Sequence, residues 1–177
     1  SGYPAATGIG TQHGGILVDF NAVKGGIEII PLDNDWQKAA HVYSDEVLIS
    51  HRTDAEKGTP KFERGKSLSD HQCEMIYISG TAAIRGEESI VTGDVLVQTE
   101  ITLENIQHLI GLEEGREKLP EHSGKLELLR VYLKHEEDAK IVKEDMDKLC
   151  PDVPIVYLYA DVCREELLVE IEGIAYL

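Results

Sequence analysis

The sequence predicts an α+β fold: a mixed β-sheet with two helices on one face. Three observations carry this. The apolar segments run in the order β-β, long loop, β-α, β-α, β-β. Both helical segments are apolar along one stripe only, so each has a single face to bury. The strand segments are apolar at both parities, as in Ile76, Tyr77 and Ile78 or Leu167, Leu168 and Val169, so both faces of the sheet need cover. One chain supplies one helical layer, and the second cover is expected from another subunit.

Residues 14–20 (GGILVDF) and 25–30 (GGIEII) are short runs of β-formers joined by NAVK, and they read as a hairpin. Residues 31–70 have weak periodicity, mixed charge and two prolines, which predicts extended loop with one short helix near Trp36–Tyr43. A loop of that length is a functional element or an arm packed on a neighbour. Residues 1–73 are therefore expected to form an N-terminal hairpin plus a long loop or arm, and 74–177 the α+β domain.

Within that domain EMIYISG (74–80) is a strand ending at glycine. Leu96, Thr99, Leu103, Ile106 and Ile110 recur at spacings of three and four, predicting a helix from about 94 to 112 with Thr92 or Asp94 as N-cap. Residues 111–124 read as loop and 125–134 as strand. A second helix over 136–150 places Ala139, Val142, Met146 and Leu149 on one stripe; its acidic start suits the helix dipole, and Pro151 and Pro154 end it. Residues 155–162 and 167–177 are the last two strands, joined by the tight CREE turn.

Composition excludes several function classes. The chain has 177 residues with 42% apolar and 28% charged, and no stretch approaches the roughly 20 apolar residues that span a bilayer. Its net charge of −16, with no Lys/Arg-rich run, two Phe and one Trp, disfavours nucleic acid as a partner. Three cysteines without CxxC or Cys/His pairing argue against a disulfide framework and a zinc site, and suit a cytoplasmic protein. The seven histidines include no HxxxH or HxH pair, so neither a metal nor another cofactor is expected. TGIGT (7–11) precedes a strand rather than a helix and is no phosphate loop.

The stretches YISGTAAI, LENI, LLRVYLKHEEDAKIVKEDMDK and VEIEGIA, in this order along 74–177, resemble the RidA/YjgF (Rid) superfamily. That resemblance implies a chorismate-mutase-like (YjgF-like) fold, a homotrimer with a central barrel, and ligand clefts between subunits. RidA proteins hydrolyse enamines and imines, and hold the substrate carboxylate with an arginine two residues after a proline. Val156 stands in that place after Pro154, while the family glutamate is matched by Glu170. SGYPAATGIGT, DNDWQKAAHVY, TPKFERG, YISGTAAIRGEES and ADVCREELLVEIEG together resemble the C-terminal half of chorismatases, which hydrolyse chorismate to pyruvate and a hydroxylated benzoate. Their pattern sets a cysteine seven residues before the catalytic glutamate, here Cys163 and Glu170. The first half has no counterpart in the 177 residues, which leaves a single-half relative or a piece of a longer protein. The implied functions are a chorismatase-like hydrolase of a small carboxylated enol ether, a RidA-type deaminase, or a non-catalytic metabolite-binding trimer.

The chemistry also follows from the residues. Hydrolysing an enol ether begins by protonating a carbon, which needs a neutral, positioned acid near pH 7. Val169 and Ile171 flank Glu170, so burial would raise its pKa, and Glu172 on the same strand face either adds like-charge repulsion or is salt-bridged. Arg164 is a fork suited to a substrate carboxylate, or it caps its turn or pairs with Glu165, Glu166 or Glu170. Cys163, with no histidine nearby in sequence, reads as pocket wall rather than nucleophile. Gly80 and Thr81 offer backbone N–H groups to a carboxylate or carbonyl oxygen, or only form a turn; Arg85 is a second anion contact or a surface residue.

Overall fold

Helix α1 (Val95–Ile110) starts where the Asp94 side chain accepts hydrogen bonds from the backbone N–H groups of Leu96 and Val97. It stops at Gly111, whose φ of 85° is the left-handed conformation that favours glycine. Thr99, Leu103, Ile106 and Ile110 are buried along its predicted stripe. Helix α2 (Ala139–Leu149) follows a 3-10 turn over Glu136–Asp138 and buries Val142 and Met146. The computed structural model describes residues 2–12, 14–48, 57–70, 73–111 and 125–176; of the predicted loop over 111–124, all but Gly111 lies outside them.

The strands are β1 (Glu28–Leu32), β2 (Gly65–Ser69), β3 (Glu74–Thr81), β4 (Ile84–Arg85), β5 (Glu88–Ser89), β6 (Lys125–Leu133), β7 (Ile155–Tyr159) and β8 (Val169–Tyr176). Six of them form one sheet in the order β1-β2-β3-β8-β6-β7, and β4 and β5 make a small separate ribbon. The β6–β7 pair is parallel and the other four pairings are antiparallel, so the sheet is mixed as predicted. Helix α1 lies on β3 and β8, with α2 beside it. Ile76, Ile78, Val131, Val169, Ile171 and Ala175 point into this shared core. Strand alternation turns the intervening residues, Glu170 and Glu172 among them, to the opposite face.

The predicted hairpin between 14–20 and 25–30 does not form. β1 pairs with β2 instead, from Glu28↔Ser69 to Leu32↔Gly65, and residues 16–24 carry no strand. Ile16, Leu17, Val18 and Phe20 are exposed. The partner, GKSLS, lies inside the stretch predicted as loop; it has little apolar signal because its burial comes from sitting between β1 and β3. The sheet therefore runs on across residue 73. The short helix expected near Trp36–Tyr43 is a single 3-10 turn, Ala40–Val42.

The sheet face away from the helices carries a cleft of about 920 Å³, walled in part by Thr7, Lys66, Tyr77, Leu128, Arg130, Tyr132 and Glu172. The N-terminal segment forms its other side. That segment is strapped across the sheet end by Glu63 N–H to Pro4 carbonyl (2.9 Å), Ala6 N–H to Ser79 Oγ (3.0 Å), and a pair of bonds between Gly10 and Asp161.

Candidate active site

Glu170 sits second in β8, opposite Tyr132 of β6, with core residues Val169 and Ile171 on either side. It is 6% exposed. Burial, then the charge of Glu172, push its carboxyl up to about 7, against a smaller downward pull from Arg64. Near neutral pH a large fraction of this carboxyl is therefore protonated and able to donate.

The space for it comes from a break in strand pairing. The register between β3 and β8 shifts between Ile78 and Thr81, a bulge of the kind that re-aims side chains beside functional sites. At Gly80 a β-carbon would collide with the Glu170 carboxyl and would also approach Thr7 Cγ2. The glycine is thus a steric requirement of the glutamate. Its N–H is engaged by Thr7 Oγ1 (2.8 Å) and the Ala6 carbonyl (3.3 Å), both on the strap. Thr81 is buried, and its hydroxyl donates to the Ser79 carbonyl at 2.9 Å.

Glu172, two residues on, is salt-bridged. Its Oε1 accepts from Arg130 Nη1 at 2.6 Å and from the Tyr132 hydroxyl at 2.7 Å. Its charge is the second cause, after burial, that raises the Glu170 carboxyl.

Cys163 is solvent-exposed, yet the protein mass around it and then the charge of Glu170 hold its thiol above the ordinary range. It is a protonated thiol near a carboxyl, not an activated thiolate. Arg164 is 7% exposed and turns its Nη1 to the Glu87 carbonyl (2.9 Å) and Ser89 Oγ (3.0 Å). It clamps the β4–β5 ribbon. Arg85 lies elsewhere, bound to Glu104 on α1 at 2.5 Å and stacked on Trp36. The CREE turn carrying Cys163 and Arg164 is held from α1 by Gln98, whose amide donates to the Glu166 carbonyl (2.9 Å) and accepts from Leu168 N–H (2.8 Å).

Arg64 and Tyr43 are absent from the residues predicted to form the site. Arg64 is 4% exposed, donates from Nη2 to the Lys38 carbonyl (2.6 Å) and to the Tyr43 hydroxyl, and is the cation that acts on Glu170. No periodicity marks it; the only sequence signal is its place in TPKFERG, one of the chorismatase-like stretches. Val156, where RidA proteins carry an arginine, is 46% exposed on the edge strand β7. Among the described residues no group of His, Cys, Asp and Glu is arranged to hold a metal ion, and no helix is long and apolar enough to cross a membrane.

No family profile matches the chain. It is 35% identical over 179 residues to a chorismatase of Streptomyces rapamycinicus, an alignment covering 97% of this chain and 50% of that enzyme. A chorismatase crystal structure superposes with a TM-score of 0.72 at 28% identity, over 97% of this chain and 50% of the other. The Rid-family protein YyfA of Yersinia pestis superposes with a TM-score of 0.51 at 15% identity, over 72% and 96% of the two chains, a likeness that shows the fold alone. The chain has the RidA/YjgF-like α+β fold and is related to the chorismatases, spanning about half their length.

Proposed function

We propose that the chain carries the acid of a chorismatase-like hydrolase acting on a small carboxylated enol ether. The observation that supports this most is Glu170 itself: a buried carboxyl held at about 7, on the strand of the family glutamate. In this reading the Glu170 proton goes to the methylene carbon of the enol ether, forming a C–H bond and an oxocarbenium ion. Water adds to the cationic carbon and returns a proton to Glu170. The resulting hemiketal breaks its ether C–O bond, releasing a ketoacid and an alcohol. Net, one water is consumed and no oxidant or reductant is needed. The protonated Cys163 forms wall beside the acid, and Glu172 tunes it.

The cleft is completed by a second subunit in a trimer. Ile29, Ile30, Val156 and Leu158, all more than a third exposed on the two edge strands, are apolar surface that assembly would bury. Light scattering at micromolar concentration should give a trimer mass; a monomer mass would overturn the intersubunit cleft.

The activity is tested by incubating the purified protein with chorismate and following pyruvate. Glu170→Gln should keep the fold and lower turnover by about 10²–10⁴-fold, the effect of removing a general acid. No pyruvate from the folded wild-type protein would sink the hydrolase.

A further inference from the structure

We propose that Thr7 is a positioning residue for the acid: its hydroxyl pins the bulge at Gly80 and its methyl covers the Glu170 carboxyl. The inference deepens the hydrolase reading and rests on it for the catalytic consequence, but the geometry stands apart from it. Thr7 lies on the N-terminal strap, far from Glu170 in sequence. Several bonds lay that strap along the end of β3. Tyr3 N–H donates to Glu63 Oε1 at 2.9 Å. The Ser79 hydroxyl, 1% exposed, accepts from Ala6 N–H (3.0 Å) and donates to the Glu63 carbonyl (2.5 Å). These bonds fix where Thr7 sits, half-buried at the cleft wall.

Each branch of the threonine has its own partner. Gly80 falls in the gap of the β3–β8 register, between the pairs Ile78↔Gly173 and Thr81↔Ile171. Its N–H turns to the strap instead, to Thr7 Oγ1 at 2.8 Å and, at the longer 3.3 Å, to the Ala6 carbonyl. A backbone donor at a bulge needs such a partner. The Thr7 methyl meets the same glycine from the side of the acid. A β-carbon at Gly80 would stand 2.8 Å from Thr7 Cγ2 and 2.1 Å from Glu170 Oε1, so methyl and carboxyl are neighbours across a space that glycine leaves free. Branching at the β-carbon holds χ1 in a staggered well, so the bond made by the oxygen also sets the direction of the methyl. Thr7 carries no charge. The charged and titratable groups around Glu170 come from elsewhere: Glu172 on its own strand, Arg64 ahead of β2, Tyr132 on β6 and the Cys163 thiol in the turn before β8. What Thr7 contributes is exclusion of water, and burial is the largest cause of the raised Glu170 carboxyl.

The test separates the two branches. Thr7→Ser keeps the acceptor and admits water beside the carboxyl. Followed by carboxyl-carbon NMR, Glu170 should then titrate about half a unit to one unit below the wild type. Thr7→Val keeps the cover and removes the acceptor. Glu170 should titrate there as in the wild type, while amide exchange at Gly80 quickens about tenfold. A contact that only supports the fold would lower the titration in both variants or in neither, and either result overturns the assignment. So does unchanged exchange at Gly80 in Thr7→Val. With chorismate as substrate, the alkaline limb of the turnover profile should move down with Thr7→Ser by the same shift and keep its position with Thr7→Val. A limb that ignores a shifted Glu170 titration would remove Glu170 as the acid and leave Thr7 holding the carboxyl. No turnover by the wild type would remove the hydrolase, and the titrations would still decide for or against Thr7.

Discussion

The carboxyl of Glu170 occupies the space that a β-carbon on Gly80 would take. The bulge in β3 and the acid on β8 are thus one steric unit, with Thr7 of the strap closing the third side. Gly80→Ala should push the carboxyl out of its place and cost about 1–3 kcal/mol, the usual range for overpacking. Thermal denaturation gives the stability. A variant as stable as the wild type, with the Glu170 carboxyl carbon unshifted by NMR, would contradict the contact.

Glu170 also makes stability depend on pH. Its folded pKa of about 7 lies above the ordinary 4.5, so the folded state binds the proton more tightly than the unfolded chain. Stability is therefore fully supported below about 4.5 and declines as pH rises toward 7. Glu170→Gln removes that decline. Relative to wild type, the variant should gain stability between pH 4.5 and 7 and level off above, by at most about 3.5 kcal/mol at roughly 1.4 kcal/mol per pH unit. Denaturant midpoints at pH 4.5 and 8 measure it; a constant difference between wild type and variant would show an ordinary pKa.

Glu172 reaches Glu170 by charge alone, so Glu172→Gln should lower the pKa of Glu170 while changing stability little. The ion pair with Arg130 is on a half-exposed guanidinium and is worth about 0–1 kcal/mol. Carboxyl-carbon NMR titration of both proteins is the measurement. An unmoved Glu170 titration would assign its raised pKa to burial alone.

Gln98 is fully buried and its amide serves both a carbonyl and an N–H of the segment entering β8. Gln98→Leu leaves those two groups without partners and should destabilise the protein by roughly 2–4 kcal/mol, with faster hydrogen exchange at Leu168. Retained exchange protection at Leu168 would mean that the turn holds itself in place.

What the sequence by itself determined is local. The stripe of α1, its Asp94 cap and the alternation in β8 that sets Glu170 against Val169 and Ile171 are patterns of period 3.6 or 2 within one element, and an isolated segment displays them. The pairing of Glu172 with Arg130 needed the register of β8 on β6, and only its possibility was legible. The tertiary structure decided the rest. β1 took the edge offered by β2, more than 30 positions on in the chain, because β2 was already held by β3; no pattern in GGIEII names that partner. Arg164 was read as an anion fork, a turn cap or a partner of a neighbouring glutamate; the fold sets it on the Glu87 carbonyl and Ser89, against the Tyr43 ring that Arg64 also meets. Three residues from separate segments meet only when the chain closes around them, since no local pattern brings two buried guanidiniums to one ring.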